Sequence, residues 1–357
     1  MDTTTLNPDK VDAFVGQFVT DFGAALFAPL VVLGDRLGLY KALAAGGRQT
    51  AADISTRTGI RERSVAEWLR ANAAAGYVTY DAPTDSYALS PEQEFTLADE
   101  SSPAFLPGAF QIALSVGRDI DRITDALRSG RGYGWDEHDA LLFEGTERFF
   151  RPGYAANLVD SWLPSLDGVV DKLVAGARVA DVGCGHGAST ILMAQAYPAS
   201  RFVGFDFHAA SIDAARKRAA EAGVADRVTF QVAGADDFPG KDYDLVTLFD
   251  CFHDMGRPID AARHIARALS PGGTLLLVEP QAGHDVADNL NPVGRVFYSA
   301  STTICTLNAI RYGAADSPVL GAQASDADLE RALAAGGLTS VRLATSTPFN
   351  RVFEVRP

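Results

Sequence analysis

Apolar and polar positions change their period twice along this chain. From Val11 to Leu43 apolar residues recur at helical spacing, among them Phe14, Phe18, Phe22, Leu26, Leu30, Leu33, Leu37 and Leu39. The segment reads as helices with a long apolar stripe, broken at Pro29 and Gly34. Such a stripe suits the chain's own core and a partner's surface equally well. Thr50 to Gly59 reads as a short helix with an N-cap and a glycine stop, and Arg61 to Ala75 as a second one closed by Gly76. Two short β-prone runs follow, Tyr77 to Tyr80 and Ser86 to Leu89, joined by a polar turn. Helix, turn, helix and hairpin in that order predict a winged helix. Residues 101–175 read as helices interrupted at Ser129–Gly134 and Arg151–Gly153.

Beyond Arg178 the period changes again, to short β-rich runs alternating with helices. Strands are expected near 178–182, 201–206, 228–232, 244–249 and 273–279, then a closing pair near 338–344 and 349–355. The expected fold is therefore α/β, with three parts: a helical and winged-helix dimerisation domain over 1–100, a helical connector and lid over 101–175, and a parallel sheet wound with crossovers over 176–357.

Charge narrows what the winged helix can do. The chain's formal net charge is −14, and between Thr50 and Glu100 nine acids stand against four arginines, a local balance of −5. That sign repels phosphate backbones and forfeits the counterion release behind most DNA affinity, so no nucleic-acid partner is expected. Cys184, Cys251 and Cys305 lie far apart, without the paired spacing of metal sites or disulfides, which fits free thiols in a cytoplasmic setting. The apolar stretch Ala24 to Leu33 contains Pro29 and soon meets Asp35 and Arg36, so neither a signal peptide nor a membrane span is read from it.

The first expected strand of the sheet delivers the chain into Asp181-Val-Gly-Cys-Gly-His-Gly187, and a helix follows. Alternate glycines let backbone amides approach a ligand at the positive start of a helix. Asp206, at the end of the next strand, is placed to accept hydrogen bonds from ribose hydroxyls. The Gly-x-Gly-x-Gly spacing, with an acid two residues before the first glycine, differs from the dinucleotide fingerprint.

Val179-Ala-Asp-Val-Gly-Cys-Gly-His-Gly187 resembles motif I of class I S-adenosylmethionine-dependent methyltransferases. Asp244 to Asp250 and Leu269 to Glu279 resemble their fourth strand and the helix end and fifth strand after it. The resemblance implies a Rossmann-like seven-stranded methyltransferase sheet behind the N-terminal helical winged-helix domain, with S-adenosyl-L-methionine as cofactor. Candidate cofactor contacts are Asp181, Gly183, Gly185, Gly187, Asp206, Phe207, Phe249 and Asp250. Gly234 stands where many relatives carry the adenine-binding acid, which leaves Ala235, Asp236 and Phe238 as the adenine-site candidates.

The order of winged helix and methyltransferase domain resembles small-molecule O-methyltransferases, which implies a small-molecule substrate; the long terminal stripe points to a homodimer, no membrane partner is expected, and no acid cluster like that of magnesium-dependent catechol-type enzymes implies a metal. The catalytic histidine of the small-molecule O-methyltransferases follows the fourth strand, which points to His253 as base, and an orienting carboxylate at the next strand end points to Glu279. Their second supporting acid has no counterpart here, since Gln323 falls near its place. Residues 280–325 exceed a plain crossover and are expected to roof the substrate, with Tyr298, Thr302 and Cys305 on one helical face. From the connector, Trp135 and Tyr154 join the substrate candidates. His264 is expected at the surface, and Asp136-Glu-His-Asp139 reads as a solvated charge run rather than metal ligands. The favoured function is O-methylation of a small molecule. The alternatives are N- or C-methylation on the same scaffold, or a cofactor-sensing transcriptional regulator.

Overall fold

The computed structural model describes residues 6–357. They form two compact units, one running through Leu114 together with Glu144–Pro152, the other comprising Ser115–Phe143 and Gly153–Pro357.

The first unit opens with α1 (Pro8–Arg36), whose start is capped by the Asn7 side chain accepting from the amides of Asp9 and Lys10, with Pro8 in the first turn. The helix runs unbroken through Pro29 and Gly34, contrary to the sequence expectation. An interior proline costs about 3 kcal/mol, but the half of α1 that holds it buries Phe27, Val31 and Val32 in the unit's core, which offsets that cost. Gly34 is not a stop. A Cβ there would lie 2.5 Å from the Trp68 ring and 2.7 Å from Tyr40, so the glycine permits close packing. The other half of α1 leaves Phe14, Val15, Phe18, Val19, Phe22 and Leu26 exposed.

After α2 (Leu39–Ala44) come α3 (Ala51–Thr58) and α4 (Glu62–Ala74), then the antiparallel pair β1 (Thr79–Asp81) and β2 (Ser86–Ala88). Thr50 and Asp53 close a capping box at the start of α3, and Gly59 ends it at φ +74°. Ile54, Val65, Trp68, Leu69 and Tyr87 pack this winged helix on α1 and α2. Helices α5 (Pro91–Leu97), α6 (Pro107–Arg118), α7 (Ile120–Ser129), α8 (Leu141–Asn157) and α9 (Val169–Ala175) follow.

The second unit is built on seven strands: β3 (Arg178–Val182), β4 (Arg201–Asp206), β5 (Val228–Val232), β6 (Tyr243–Phe249), β7 (Leu269–Pro280), β8 (Ser340–Ser346) and β9 (Asn350–Arg356). Their order is β5-β4-β3-β6-β7-β9-β8, parallel from β5 to β7, with β9 antiparallel to both β7 and β8. The strands fall where the sequence places them, except that β7 begins early, at Leu269, which pairs with Tyr243 ahead of a register shift. Side chains alternate between two buried layers. Val179, Leu245 and Leu276 face α9, α10 (Ala188–Ala196) and α11 (Ala209–Glu221); Ala180, Val246, Leu275 and Leu277 face α12 (Pro258–Ala268) and α15 (Asp326–Ala335). Strand order reverses between β3 and β6, so the crevice at their carboxyl ends is where such a sheet receives ligands. Helix α13 (Pro292–Ala300), a π turn over Ser301–Cys305 and α14 (Thr306–Tyr312) make up the segment expected as a roof.

Candidate active site

The turn after β3 is folded by its three glycines, all at positive φ: +72° at Gly183, +51° at Gly185 and +79° at Gly187. Two of them are also forced by packing, since a Cβ on Gly183 would meet Cys251 Sγ at 2.8 Å and one on Gly187 would meet the Phe230 ring at 2.7 Å. Gly185 differs: nothing lies within 4 Å of its Cβ position, which leaves room for a ligand. The sequence reading expects the turn's amides to face that ligand, but most are spent on the turn itself. Gly183 and Cys184 donate to the Phe205 carbonyl at 2.8 and 3.0 Å, and Gly187 donates to Cys184 at 2.8 Å.

Asp181 lies beneath the turn rather than in it. Its Oδ2 accepts from Ser189 and Thr190 hydroxyls at 2.7 and 2.5 Å, and its Oδ1 from Thr247 at 2.9 Å. This buried carboxylate ties the strand to the start of α10 and to β6, which is a supporting rather than a ligand-binding role. Burial pushes its pKa up, against the three hydroxyls. Ser189, Thr190 and Thr247 were missed by sequence reasoning; a hydroxyl pair just after the glycines is the signal that could have found them.

Asp206 takes its place at the end of β4, with Oδ2 accepting from the Gly185 amide and Oδ1 from His208, each at 2.9 Å. Each oxygen retains a lone pair, so the carboxylate can still receive hydroxyl donors. Phe207 beside it is exposed. At the adenine end, Ala235 is half-buried, Asp236 pairs with Arg257 at 2.5 Å, and Asp237 accepts from the Gly234 amide at 2.9 Å. Phe238 is no ligand surface: it is 1% exposed, packed between Phe205, Tyr243 and His264, because its apolar ring fills the layer under α12. His264, expected at the surface, points inward to the Phe238 carbonyl at 2.7 Å.

Past β6 the chain enters a cluster of buried polar groups. Asp250 adopts φ +50°, a conformation that costs about 1 kcal/mol or more outside glycine. Three bonds hold it: its amide to Val278 at 2.8 Å, Asn350 Nδ2 to Oδ1 at 2.7 Å, and the Tyr154 hydroxyl to Oδ2 at 3.1 Å. Burial, with the Glu279 carboxylate nearby, lifts Asp250 to about 7. His253 Nδ1 lies 2.8 Å from Glu279 Oε2, while Glu279 Oε1 accepts the Phe252 amide at 3.0 Å, so the carboxylate fixes both ring and backbone. Burial works against a charged imidazole, yet Glu279 carries the pKa of His253 well above the usual histidine range. Asp254 accepts from Trp135 Nε1 at 2.6 Å, and burial raises it to about 6.

Trp135 and Tyr154 thus reach the cluster as hydrogen-bond donors to its acids. Phe249 is buried against Tyr154 and Trp162. Asn350 and Asn308, which donates to the Asp254 carbonyl at 2.9 Å, carry no motif that could have flagged them. The roof triplet does not share one face. The π turn adds a residue to the helical register, so Cys305 is buried, Tyr298 is half-buried, and Thr302 is exposed with its hydroxyl tied back to the Tyr298 carbonyl at 2.8 Å. Gln323 donates to the Gln281 carbonyl at 2.9 Å and supplies no second acid.

The Asp136–Asp139 run is paired off rather than solvated: Asp136 with Tyr312, Glu137 with Arg311, His138 with buried Asp119 at 3.1 Å, and Asp139 with Arg118. Among the described residues no group of three or more His, Cys, Asp or Glu side chains is placed to hold a metal ion.

Comparison with known proteins agrees with this geometry. Residues 173–315 match the model of a methyltransferase domain, and residues 25–98 that of an Rv2258c-like winged HTH domain. The chain is 32% identical over 194 residues to the 27-O-demethylrifamycin SV methyltransferase of Amycolatopsis mediterranei, a match covering 50% of this chain and 65% of that protein. It is 28% identical to the fatty-acid O-methyltransferase of Mycolicibacterium smegmatis, over 44% of this chain and 54% of that one. The chain therefore spans roughly half to two thirds of the length of these relatives. Human N-acetylserotonin methyltransferase, solved with S-adenosylmethionine, superposes with a TM-score of 0.70 at 15% identity, over 100% of this chain and 99% of that one, which establishes the shared fold. Residues 25–98 thus match a winged HTH domain and residues 173–315 a methyltransferase domain, in a chain that shares the fold of a methyltransferase solved with S-adenosylmethionine.

Proposed function

We propose that this protein transfers a methyl group from S-adenosylmethionine to a hydroxyl of a small molecule. One observation carries the reading: the Gly183–Gly187 turn, Asp206 and the His253–Glu279 pair all stand at the carboxyl ends of adjacent parallel strands in one sheet. The open space at Gly185 and the spare acceptor capacity of Asp206 fit the cofactor's sugar end. When bound, the cofactor supplies an electrophilic methyl on a sulfonium. In its neutral form, populated as pH rises toward its raised pKa, His253 removes the proton of the acceptor hydroxyl, and Glu279 holds the ring and balances the imidazolium that forms.

The test has two stages. Calorimetry with S-adenosylhomocysteine should show binding to the wild type and a weakened response in Asp206→Ala. Incubation with methyl-labelled cofactor and a panel of hydroxylated small molecules should then give a labelled ether. Binding without any labelled product would count against the transferase reading, and absence of binding would end it.

The same reading makes the protein a cytoplasmic homodimer joined through α1, whose exposed Phe14, Phe18, Phe22 and Leu26 form a continuous apolar face. One observation supports a second assignment of that helix. It is long and apolar enough to cross a membrane, with an 18-residue window of mean hydropathy 1.6, of which 17% is buried. Sedimentation in detergent-free buffer and flotation with lipid vesicles separate the two, since a dimer sediments at twice the chain mass and stays out of the lipid fraction.

A further inference from the structure

His253 sits in the middle of a single 3₁₀ turn, Phe252–Asp254, whose own hydrogen bonds are poor. The Asp254 amide lies 3.4 Å from the Cys251 carbonyl and the Met255 amide 3.3 Å from the Phe252 carbonyl, beyond the usual range for N–H donors. Each residue of the turn is bonded more closely from outside. The Phe252 amide donates to Glu279 at 3.0 Å, the His253 carbonyl accepts from the Gly321 amide at 2.9 Å, and the Asp254 carbonyl accepts from Asn308 Nδ2 at 2.9 Å. Two of these three clamps come from the segment expected as a roof.

Asn308 is the one of them that a roof side chain supplies. It stands buried in α14 with its amide used in both directions: Nδ2 donates to Asp254, and Oδ1 accepts the Trp135 amide at 3.0 Å. A carbonyl on one side and an N–H on the other decide which end of the amide is which. Trp135 Nε1 closes the figure by donating to Asp254 Oδ2 at 2.6 Å. Connector, roof and histidine turn are thereby joined by a triangle of three hydrogen bonds, and Asn308 is the corner whose side chain reaches the backbone of both other segments.

We propose that Asn308 is a positioning residue for His253: by gripping the Asp254 carbonyl it holds the turn where His253 Nδ1 meets Glu279 Oε2 at 2.8 Å. The proposal rests on the site reading above, in which His253 is the base, but its test does not rest on turnover. Asn308→Asp separates the two duties of the side chain. The new carboxylate still accepts from the Trp135 amide, but it has no N–H for Asp254 and sets a negative charge against that carbonyl. The turn then loses one of its three close outer bonds, its own bonds are too long to replace it, and the imidazole is released to tilt away from Glu279.

The chain has six histidines, few enough to follow by NMR in the full-length protein labelled at histidine, and His253→Gln assigns the signal. An imidazole N–H held by a carboxylate resonates far downfield and exchanges slowly with water. In ligand-free Asn308→Asp the His253 Nδ1 proton should move upfield and exchange about tenfold faster than in the wild type, the weight of roughly one hydrogen bond. Asn72→Asp is the matched control for lost stability, since Asn72 is a buried asparagine that accepts from the Tyr40 hydroxyl and donates to the Trp68 carbonyl. It should leave the His253 proton as it is. If Asn308→Asp does not fold, Asn308→Leu against Asn72→Leu makes the same comparison without added charge. A His253 proton unchanged by the Asn308 variant, or changed equally by the Asn72 one, would overturn the proposal. A proton that moves with Asn308 alone supports positioning even if His253→Gln keeps full turnover, an outcome that would remove only the base reading.

Discussion

The two halves of the sheet edge solve the problem of buried polar groups in different ways. On the β3–β4 side, most donors lie close to their acid in the chain: Ser189 and Thr190 to Asp181, with Thr247 of β6 the one distant partner, and Gly185 and His208 to Asp206. On the β6–β7 side, the donors come from afar: Trp135 to Asp254, Tyr154 and Asn350 to Asp250. The near side is a prefabricated cradle that forms with the turn. The far side exists only when connector, roof and last strand are all in place, and burial there lifts Asp250 to about 7 and Asp254 to about 6. That division is what the proposed function requires, a fixed cofactor end and an adaptable acceptor end.

The largest expected effect tests the far side. Replacing His253 with Gln should lower kcat by about 10²–10⁴ on an identified acceptor, leaving S-adenosylhomocysteine affinity within a factor of two or so, because the near-side cradle is untouched. Turnover near wild type would show that the cluster does not act as a base. The near side is tested through stability. Asp181→Ala strands three buried hydroxyls and should cost about 3–5 kcal/mol in chemical denaturation, whereas a loss under 1 kcal/mol would mean that the clasp is replaceable by water.

The same contrast explains what was legible in the sequence. The glycine turn, Asp206 and the strand positions could be read because their signals lie within one βαβ unit, where spacing dictates contact. His253 and Glu279 could be paired only by resemblance. The donors to Asp250 and Asp254 were out of reach, since Trp135 and Asn350 approach from segments whose packing no local pattern encodes. Phe238 misled because an aromatic after a strand looks the same whether it lines a ligand or fills a layer, and the roof triplet misled because one π turn rotates a helical face. Pro29 misled in the opposite sense, with packing around Val31 and Val32 outweighing a strong local signal.

A third prediction uses the raised acids of the far side. Asp250 and Asp254 bind protons more tightly folded than unfolded, so both forms are protonated at low pH and the native state falls behind as pH rises. Their contribution to stability is present below about pH 4, where unfolded aspartates titrate, and is lost progressively up to about 7 for Asp250 and about 6 for Asp254. Across that window they should lower unfolding free energy by about 4 kcal/mol for Asp250 and about 3 kcal/mol for Asp254. Asp250→Asn should flatten the slope, and a variant whose stability falls as steeply as the wild type's would place the ionisation elsewhere.

The smallest effect separates two glycines of one turn. Gly185 and Gly187 both sit at positive φ, so an alanine at either should cost about 1 kcal/mol of backbone strain. At Gly187 the new methyl also meets the Phe230 ring at 2.7 Å, which adds about 1–3 kcal/mol of overpacking. At Gly185 it meets open space, so stability should fall by the strain alone while S-adenosylhomocysteine binding weakens out of proportion to it. Thermal melts and calorimetry on the two variants therefore cross: Gly187→Ala loses more stability, and Gly185→Ala loses more affinity. Equal affinity losses would mean that the ligand does not approach the turn at Gly185, and the prefabricated cradle would have to be relocated along the rim toward Asp206 and Phe207.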